Sequence, residues 1–342
     1  TANESSPAAG PGPGTVALSQ PMHQARSAST RALHAYLLLL PAFVLLASFT
    51  HIPAVATLID SFFSTPKGSR PSVWVGLENY QVMVADPVFW KALTNNFWFA
   101  LATIPLSIAL ALAMALWVNE RIAGRAFLRM AYFTPTVLPM VAVANIWLFF
   151  YTPQYGLLEQ ALLPLGFASR NWLGSPYTPQ YGLLEQIRGA FGLPAQNWLG
   201  DQSTALAAVT AVAVWKEAGF FMIFYLAALQ GLNPSLREAA AIEGASRWTF
   251  FRRVQWPLLM PTTLFVMVNA VINSVRMIDH IVVLTRGGPD NASTLLLFHL
   301  YEVGFRYWDS GYAAALTMVL LVLLATVALL QFFVLDRKVH YR

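Results

Sequence analysis

Residues 233–257 read NPSLREAAAIEGASRWTFFRRVQWP, and they separate two long apolar runs of the chain. Asn233 can cap a helix, and Pro234 suits the first helical turn. The segment that follows, 235–246, therefore predicts a short helix. Residues at helical spacing share one side of this helix: Leu236, Ala239, Ala240 and Glu243.

The end of this segment combines a helix stop with positive charge. Gly244 is the residue type that ends a helix or allows tight packing, and the small residues before it leave room for another surface. Arg247, Arg252 and Arg253 make the remainder basic. From the pattern alone, an ordinary amphipathic connector explains the segment equally well.

The composition around this segment is that of a membrane protein. Of 342 residues, 57% are hydrophobic and 11% charged, and the mean hydropathy is +0.54. A soluble domain carries roughly a quarter charged residues, so much of this surface has to face lipid. The chain has no cysteine, which excludes disulfides and cysteine nucleophiles. Its basic residues cluster beside apolar runs rather than in a stripe, which argues against nucleic-acid binding.

Six apolar runs have the roughly 20 residues that a membrane helix needs. This predicts an all-α integral membrane protein with six transmembrane helices. Their expected positions are 34–62, 95–118, 128–151, 205–229, 258–280 and 312–335.

Lysine and arginine predict the orientation of these helices. If the chain starts inside, the cytoplasmic segments hold 12 of the 21 basic residues and the outer loops hold 7. Two more, Lys216 and Arg276, fall within the spans. The excess predicts that both termini are cytoplasmic and that 232–257 is a cytoplasmic loop.

Two regions lie apart from the spans. Residues 1–31 are rich in Pro, Gly, Ala and Ser, which predicts a disordered cytoplasmic tail preceding a membrane domain at 32–342. The outer loop 152–204 contains a tandem duplication with a 26-residue period, in which YTPQYGLLEQ and NWLG each occur twice. Two copies are too few for a solenoid. A recent or artefactual duplication in a tolerant loop is one interpretation, and a lengthened lid is the other.

Residues 233–257 resemble the EAA loop of ABC importer permeases. The family pattern is EAA, three residues, Gly, nine residues, Ile, one residue and Leu-Pro. Here it is Glu238-Ala239-Ala240, then Gly244, then Val254 and Trp256-Pro257. Val254 and Trp256 depart from the pattern but remain apolar. The stretches LLLLPAFVLL, VGLENY and LTRGGPDNAST, and the ending KVHYR, are similar to the carbohydrate branch, which includes maltose and glycerol-3-phosphate permeases.

This resemblance implies the type I ABC importer permease fold in a prokaryotic inner membrane. The expected partners are a second homologous permease, a cytoplasmic ATPase dimer that binds ATP and magnesium, and an extracytoplasmic solute-binding protein. The short helix would dock on the ATPase, through these residues of the loop: Glu238, Ala239, Ala240, Gly244, Arg247 and Pro257. The chain itself needs no cofactor and is not an enzyme.

A polar stripe in the fifth predicted span suggests a solute path. Asn269, Asn273, Arg276 and His280 share one helical stripe, and Asp279 follows Arg276 closely enough to pair. Charged groups at bilayer depth cost about 2.5–3.5 kcal/mol, so such a stripe faces a cavity or a partner helix. Asn269 and Asn273 are interpreted as a path for a polar solute, with interhelical bonding as the alternative. For Arg276 and Asp279, a path and the outer interface are equally good interpretations.

Two other functional classes fit the sequence less well. A secondary transporter or channel usually repeats its spans, and the only duplication here is in a loop. An intramembrane enzyme needs a nucleophile or metal constellation, and the sequence contains no HExxH or GxSxG. No lysine follows a glycine, so the phosphate-binding GxxxxGK[ST] motif is absent and ATP hydrolysis is expected from another chain.

Overall fold

A computed structural model describes residues 36–120, 123–151, 191 and 198–335. Its helices, in chain order, are α1 (Tyr36–Asp60), α2 (Glu78–Ala85), α3 (Pro87–Asn119), α4 (Arg125–Val137), α5 (Met140–Tyr151), α6 (Ala205–Gln230), α7 (Ser235–Ile242), α8 (Arg247–Phe250), α9 (Trp256–Arg276), α10 (Asp279–Leu284), α11 (Leu296–Tyr301) and α12 (Ser310–Leu335). The tail 1–31 and nearly all of the duplicated loop lie outside the described residues.

The described part contains five helices long and apolar enough to cross a membrane, or six if the bent pair α4 and α5 forms one span. Six spans match the sequence prediction, and the side on which each terminus lies stays a prediction. The chain divides into two compact units, residues 1–56 and 57–342. The first contains most of α1, and the second contains every other helix.

The core of the second unit forms where α3, α6 and α9 pack together. Tyr225, Phe221 and Met222 of α6 are completely or almost completely buried, together with Leu259 and Val266 of α9. A second cluster joins α5, α6 and α10. Because α6 contributes to both clusters, it is the central helix of this unit.

The third predicted span, 128–151, was wrong as one straight helix. It is broken between α4 and α5, which meet at 104°. Leu138 at the break is extended (φ −75°, ψ 138°), because the ring of the following Pro139 disfavours the helical region for the residue before it. A break frees backbone carbonyls, which need new partners inside a membrane.

The fifth predicted span, 258–280, was wrong at both ends. Helix already begins at Arg247, where the Ser246 hydroxyl accepts a hydrogen bond from the Thr249 amide (3.2 Å). A π-helical turn at Phe251–Gln255 precedes Pro257. Such a turn makes room for a proline ring that would clash in a regular helix. At the other end, α9 stops at Arg276 and α10 starts after a break.

The second predicted span, 95–118, begins earlier than expected. α3 starts at Pro87, and the Asp86 carboxylate accepts a hydrogen bond from the Val88 amide (2.8 Å). Asp at the cap followed by Pro at the first position is a helix start that the sequence itself carries. The fourth and sixth spans, α6 and α12, lie within two residues of their predicted bounds.

Candidate coupling surface and membrane polar cluster

The short helix α7 begins at Ser235 as predicted, but it ends at Ile242, four residues before the predicted end at 246. The Asn233 carboxamide oxygen accepts a hydrogen bond from the Ser235 amide (3.0 Å), which confirms the predicted cap. Two residues after the helix, Gly244 has φ of +69°, the left-handed conformation that only glycine adopts freely. The amide of Ala245 then bonds to the Ala240 carbonyl, which closes the helix end.

The side chains of α7 are largely exposed. Ile242 is 87% exposed and Glu238 is also exposed. Within the part of the chain that the structure describes, the Glu238 carboxylate makes no hydrogen bond or ion pair, although its backbone amide bonds to the Pro234 carbonyl. Ala239 is exposed and Ala240 half-buried. An apolar residue at full exposure beside an unpaired carboxylate is typical of a surface that another protein covers.

One ion pair ties α7 to the end of α3. The Arg237 guanidinium contacts both carboxylate oxygens of Glu120, each at 3.1 Å, and Glu120 is the C-cap residue of α3. The pair is exposed, so water and salt screen it and it contributes at most about 1 kcal/mol. Both contacts come from a single guanidinium nitrogen, Nη2, so the pair links α7 to the end of α3 without the two parallel bonds of a fork-to-fork pair.

Two residues of the predicted coupling set lie beyond α7. Arg247 is the first residue of α8, and Pro257 is the second residue of α9. Both are exposed. They belong to one continuous helical stretch that leads from the end of α7 into the membrane. Only the turn at Gly244 therefore separates the exposed helix α7 from the helical stretch that continues through α8 into α9.

The predicted polar stripe is divided among three environments. The Asn273 amide donates to the Glu217 carboxylate of α6 (2.8 Å), the interhelical bond that the alternative interpretation expects. The Asn269 amide donates to its own helix at the Phe265 carbonyl (2.8 Å), leaving its oxygen for other partners. His280 lies on the far side of the break and is completely buried.

Arg276 and Asp279 do not form the expected pair. Both are exposed, and no ion pair joins them in the described part of the chain. The break after α9 separates them, so the helical spacing on which the prediction relied is lost. The carboxylate of Asp279 instead acts electrostatically on Lys216 of α6.

Comparison with known proteins decides the family. A model described as "Binding-protein-dependent transport system inner membrane component" matches residues 103–341. The chain belongs to this family of ABC transporter permeases. The trehalose/maltose transport system permease protein MalF of Thermococcus litoralis is 31% identical over 291 residues, covering 84% of this chain and 88% of that protein. The sn-glycerol-3-phosphate transport system permease protein UgpA of Agrobacterium fabrum is 29% identical over 307 residues, covering 90% and 96%.

A solved structure shows the same fold. In the bacterial alginate ABC transporter bound to an alginate pentasaccharide-bound periplasmic protein, one chain matches with a TM-score of 0.74 and 20% identity. The match covers 91% of this chain and 96% of that chain. The predicted permease fold and inner-membrane location are confirmed. The permease is a transport subunit that works with a solute-binding protein, and ATP hydrolysis belongs to a separate subunit.

The sequence prediction missed the role of Lys216 in this permease. Its ammonium donates to the Leu138 carbonyl at the break between α4 and α5 (2.7 Å). Its neighbour Glu217 points to another helix, so the two adjacent charges do not form a local pair. The signal was present, because Leu138-Pro139 predicts a break and a break requires a donor.

A second polar cluster lies near the starts of α3 and α12. The Tyr312 hydroxyl (2.7 Å) and the His299 ring (3.1 Å) both contact the Asp86 carboxylate. Burial lowers the pKa of His299 below its ordinary value, and the attraction of Asp86 opposes this shift without cancelling it. At neutral pH the ring is therefore uncharged and donates its N–H to Asp86. The cluster joins the starts of α3 and α12 to α11.

Proposed function

We propose that this permease translocates a sugar or a related polar solute, such as an oligosaccharide, a polyol or a glycerol phosphate. The transport systems of the two relatives are named for trehalose/maltose and for sn-glycerol-3-phosphate, and the alginate transporter carries an acidic polysaccharide. Each of these solutes carries hydroxyl groups. The proposed mechanism is alternating access driven by ATP hydrolysis on the partner subunit.

The observation that carries the mechanism is the exposed helix α7. In the proposed complex, α7 fits into a cleft on the ATPase, and Ile242 adds an apolar contact. Glu238 pairs with a donor of the ATPase, while Ala239 and Ala240 allow close approach. Gly244 lets the two backbones approach at the turn, since a Cβ there meets no atom of this chain within 4 Å.

The connection into the membrane supports transmission from the ATPase. Arg247 and Pro257 lie on the helix that continues from the coupling loop into α9. The membrane domain 32–342, with its cytoplasmic coupling loop 232–257, would then move as the ATPase subunits close. A second, homologous permease would complete the path across the membrane, with the remaining apolar surface against lipid.

Within the membrane, Asn269 is the best supported contact for the solute. It is half-buried and its carboxamide oxygen makes no hydrogen bond to any residue that the structure describes, so it can accept one from a hydroxyl. Asn273 holds α9 against α6 and would act on the path through Glu217. Arg276, the last residue of α9, and Asp279, the first residue of α10, are both exposed and would line the path nearer its outer end.

Reconstitution with the partner subunits tests this proposal. The permease, its partner permease, the ATPase and the binding protein are placed in liposomes, and uptake of the sugar that the binding protein retains is measured. Uptake should require ATP and the binding protein. Glu238→Lys should leave membrane insertion intact and abolish uptake, because it reverses the charge offered to the ATPase. Uptake without ATP would contradict the mechanism, and a binding protein that ignores polyhydroxylated solutes would contradict the solute class.

A further inference from the structure

Lys216 stands where the two interrupted spans of the permease meet. Its ammonium binds the Leu138 carbonyl, which the break between α4 and α5 leaves free (2.7 Å). Asp279, the first residue after the break in the other span, acts on the same ammonium through space. Broken helices in transporters mark the segments that line the path and change during transport.

The surroundings of Lys216 show that α6 holds both halves of the bent span. Three residues after the lysine, Gly219 lies so close to α4 that an added Cβ would stand 2.3 Å from the Tyr132 carbonyl oxygen. Just before the lysine, the ring of Trp215 packs edge-on against Trp147 of α5, with centroids 5.6 Å apart. One stretch of α6 therefore contacts α4, the break and α5 in order.

The other span reaches the same place from the coupling loop. The helical stretch that leaves the coupling loop continues through α9, and α9 ends just before α10. α10 packs against α5 through Ile281 and Leu284, in a cluster with Met140 and Val143. A displacement that starts at the loop thus arrives at α10, beside the break that Lys216 holds.

We propose that Lys216 is a positioning residue of the transport cycle: it links the break after α4 to the break after α9, so that the two interrupted spans move together. This rests on the proposed coupling to an ATPase. The lysine is half-buried within a membrane-spanning helix, where an ammonium is costly unless its donors are used. The facing charged and titratable groups are Glu217, Asp279 and the buried ring of His280. Both carboxylates and the Leu138 carbonyl favour the ammonium in its present place.

A cysteine label next to the break tests this role. The chain has no cysteine, so Val137→Cys introduces a single thiol at a side chain that is 65% exposed. The permease is purified as its complex with the ATPase, and maleimide labelling is measured without nucleotide and with a trapped ATP analogue. With Lys216 present, the labelling rate should change at least about threefold between the two states. Labelling needs no solute, so the result is independent of the assigned solute class, and a failure of ATPase docking shows separately as loss of the complex.

The variants separate positioning from general stability. Lys216→Met should abolish the nucleotide dependence, whereas Lys216→Arg, which can still donate to the carbonyl, should retain it. The same exchange at an exposed lysine, Lys91→Met, should have no effect. Asp279→Asn removes the charge from the second break and should at least halve the nucleotide dependence of labelling. Position 279 is exposed and the exchange is isosteric, so this variant should assemble. It therefore tests the proposal even if Lys216→Met does not assemble.

Two results would overturn the proposal. One is a nucleotide dependence in Lys216→Met equal to that of the unchanged lysine. The other is labelling at Val137→Cys that is the same with and without nucleotide when Lys216 is intact.

Discussion

Gly244 shows how a single residue can serve both the fold and a partner. Its φ of +69° requires a residue that tolerates the left-handed region, yet the space around its Cβ position is empty in this chain. Asn and Asp tolerate that region better than other residues, at a cost of about 1–2 kcal/mol. The local turn alone should therefore tolerate Asn or Asp at position 244.

Gly244→Asp and Gly244→Asn should both insert normally and reduce uptake at least about tenfold, a barrier near 1.4 kcal/mol. The reason is that any side chain at this turn would separate α7 from the ATPase. Gly68 is the matched control, since it has φ of +59° and no atom near its Cβ position, and it lies in a predicted outer loop. Gly68→Asn should transport normally. Full uptake in Gly244→Asn would show that this glycine serves only the turn.

His299 should make the stability of the permease depend on pH. Its pKa is lowered in the folded state by burial, so the unfolded chain binds the proton more readily. The stabilisation is present above the ordinary histidine pKa, near 6.5, and is lost as the pH falls below it. In detergent, the melting temperature should fall between pH 8 and pH 5.5, and His299→Gln should weaken this dependence. An unchanged pH profile in His299→Gln would contradict the assignment.

The contacts of single polar residues in the spans were predicted less well than the local structure of the coupling loop. Asn233 and Gly244 were assigned from local rules, and the structure has the expected cap and turn. Asn273 was placed on a solute path, but its partner Glu217 lies 56 positions away on another helix. Helical spacing gives the side of a helix on which a residue lies and does not give the residue that faces it.

At the scale of helices, α4 and α6 approach each other closely at Gly219. Because the Cβ of Gly219→Ala would stand 2.3 Å from a backbone oxygen, the two helices have to separate. Overpacking of this kind costs about 1–3 kcal/mol. The melting temperature of Gly219→Ala should therefore fall measurably in detergent.

Gly231 at the end of the same helix is the control for this exchange. It has an ordinary negative φ, and its nearest atom to an added Cβ is 3.5 Å away. Gly231→Ala should have the same melting temperature as the unchanged protein. Equal melting of the two variants would mean that α4 and α6 are not packed as closely as the structure has them.

The existence of the membrane helices was predicted from the sequence. The points where they begin and break were missed, although the sequence carries signals for two of these points. Apolar runs long enough for a membrane gave the six spans. Leu138-Pro139 and Asp86-Pro87 contain the rules for a break and for a helix start, and hydropathy alone overlooks both. The break after Arg276 has no comparable local signal, and it depends on the packing of α10 against α5.

For the whole molecule, the family was predictable because one motif extends over twenty residues at fixed spacing. EAA, Gly244 and Pro257 match the family motif in residue type and spacing, which composition alone cannot indicate. Membrane orientation and the second permease rest on the charge bias and on the family resemblance. The side of the membrane that carries α7 decides the orientation.

A photo-cross-link from α7 tests the central claim most directly. Benzoylphenylalanine is placed at Ile242, or at Trp308 in a predicted outer segment; these side chains are 87% and 76% exposed. Both variants are illuminated in membranes that contain the complete transporter, and the cross-linked chain is identified by mass spectrometry. The coupling account predicts that Ile242 cross-links to the ATPase and that Trp308 does not. A cross-link to the ATPase from Trp308, or only lipid and binding-protein adducts from Ile242, would contradict it.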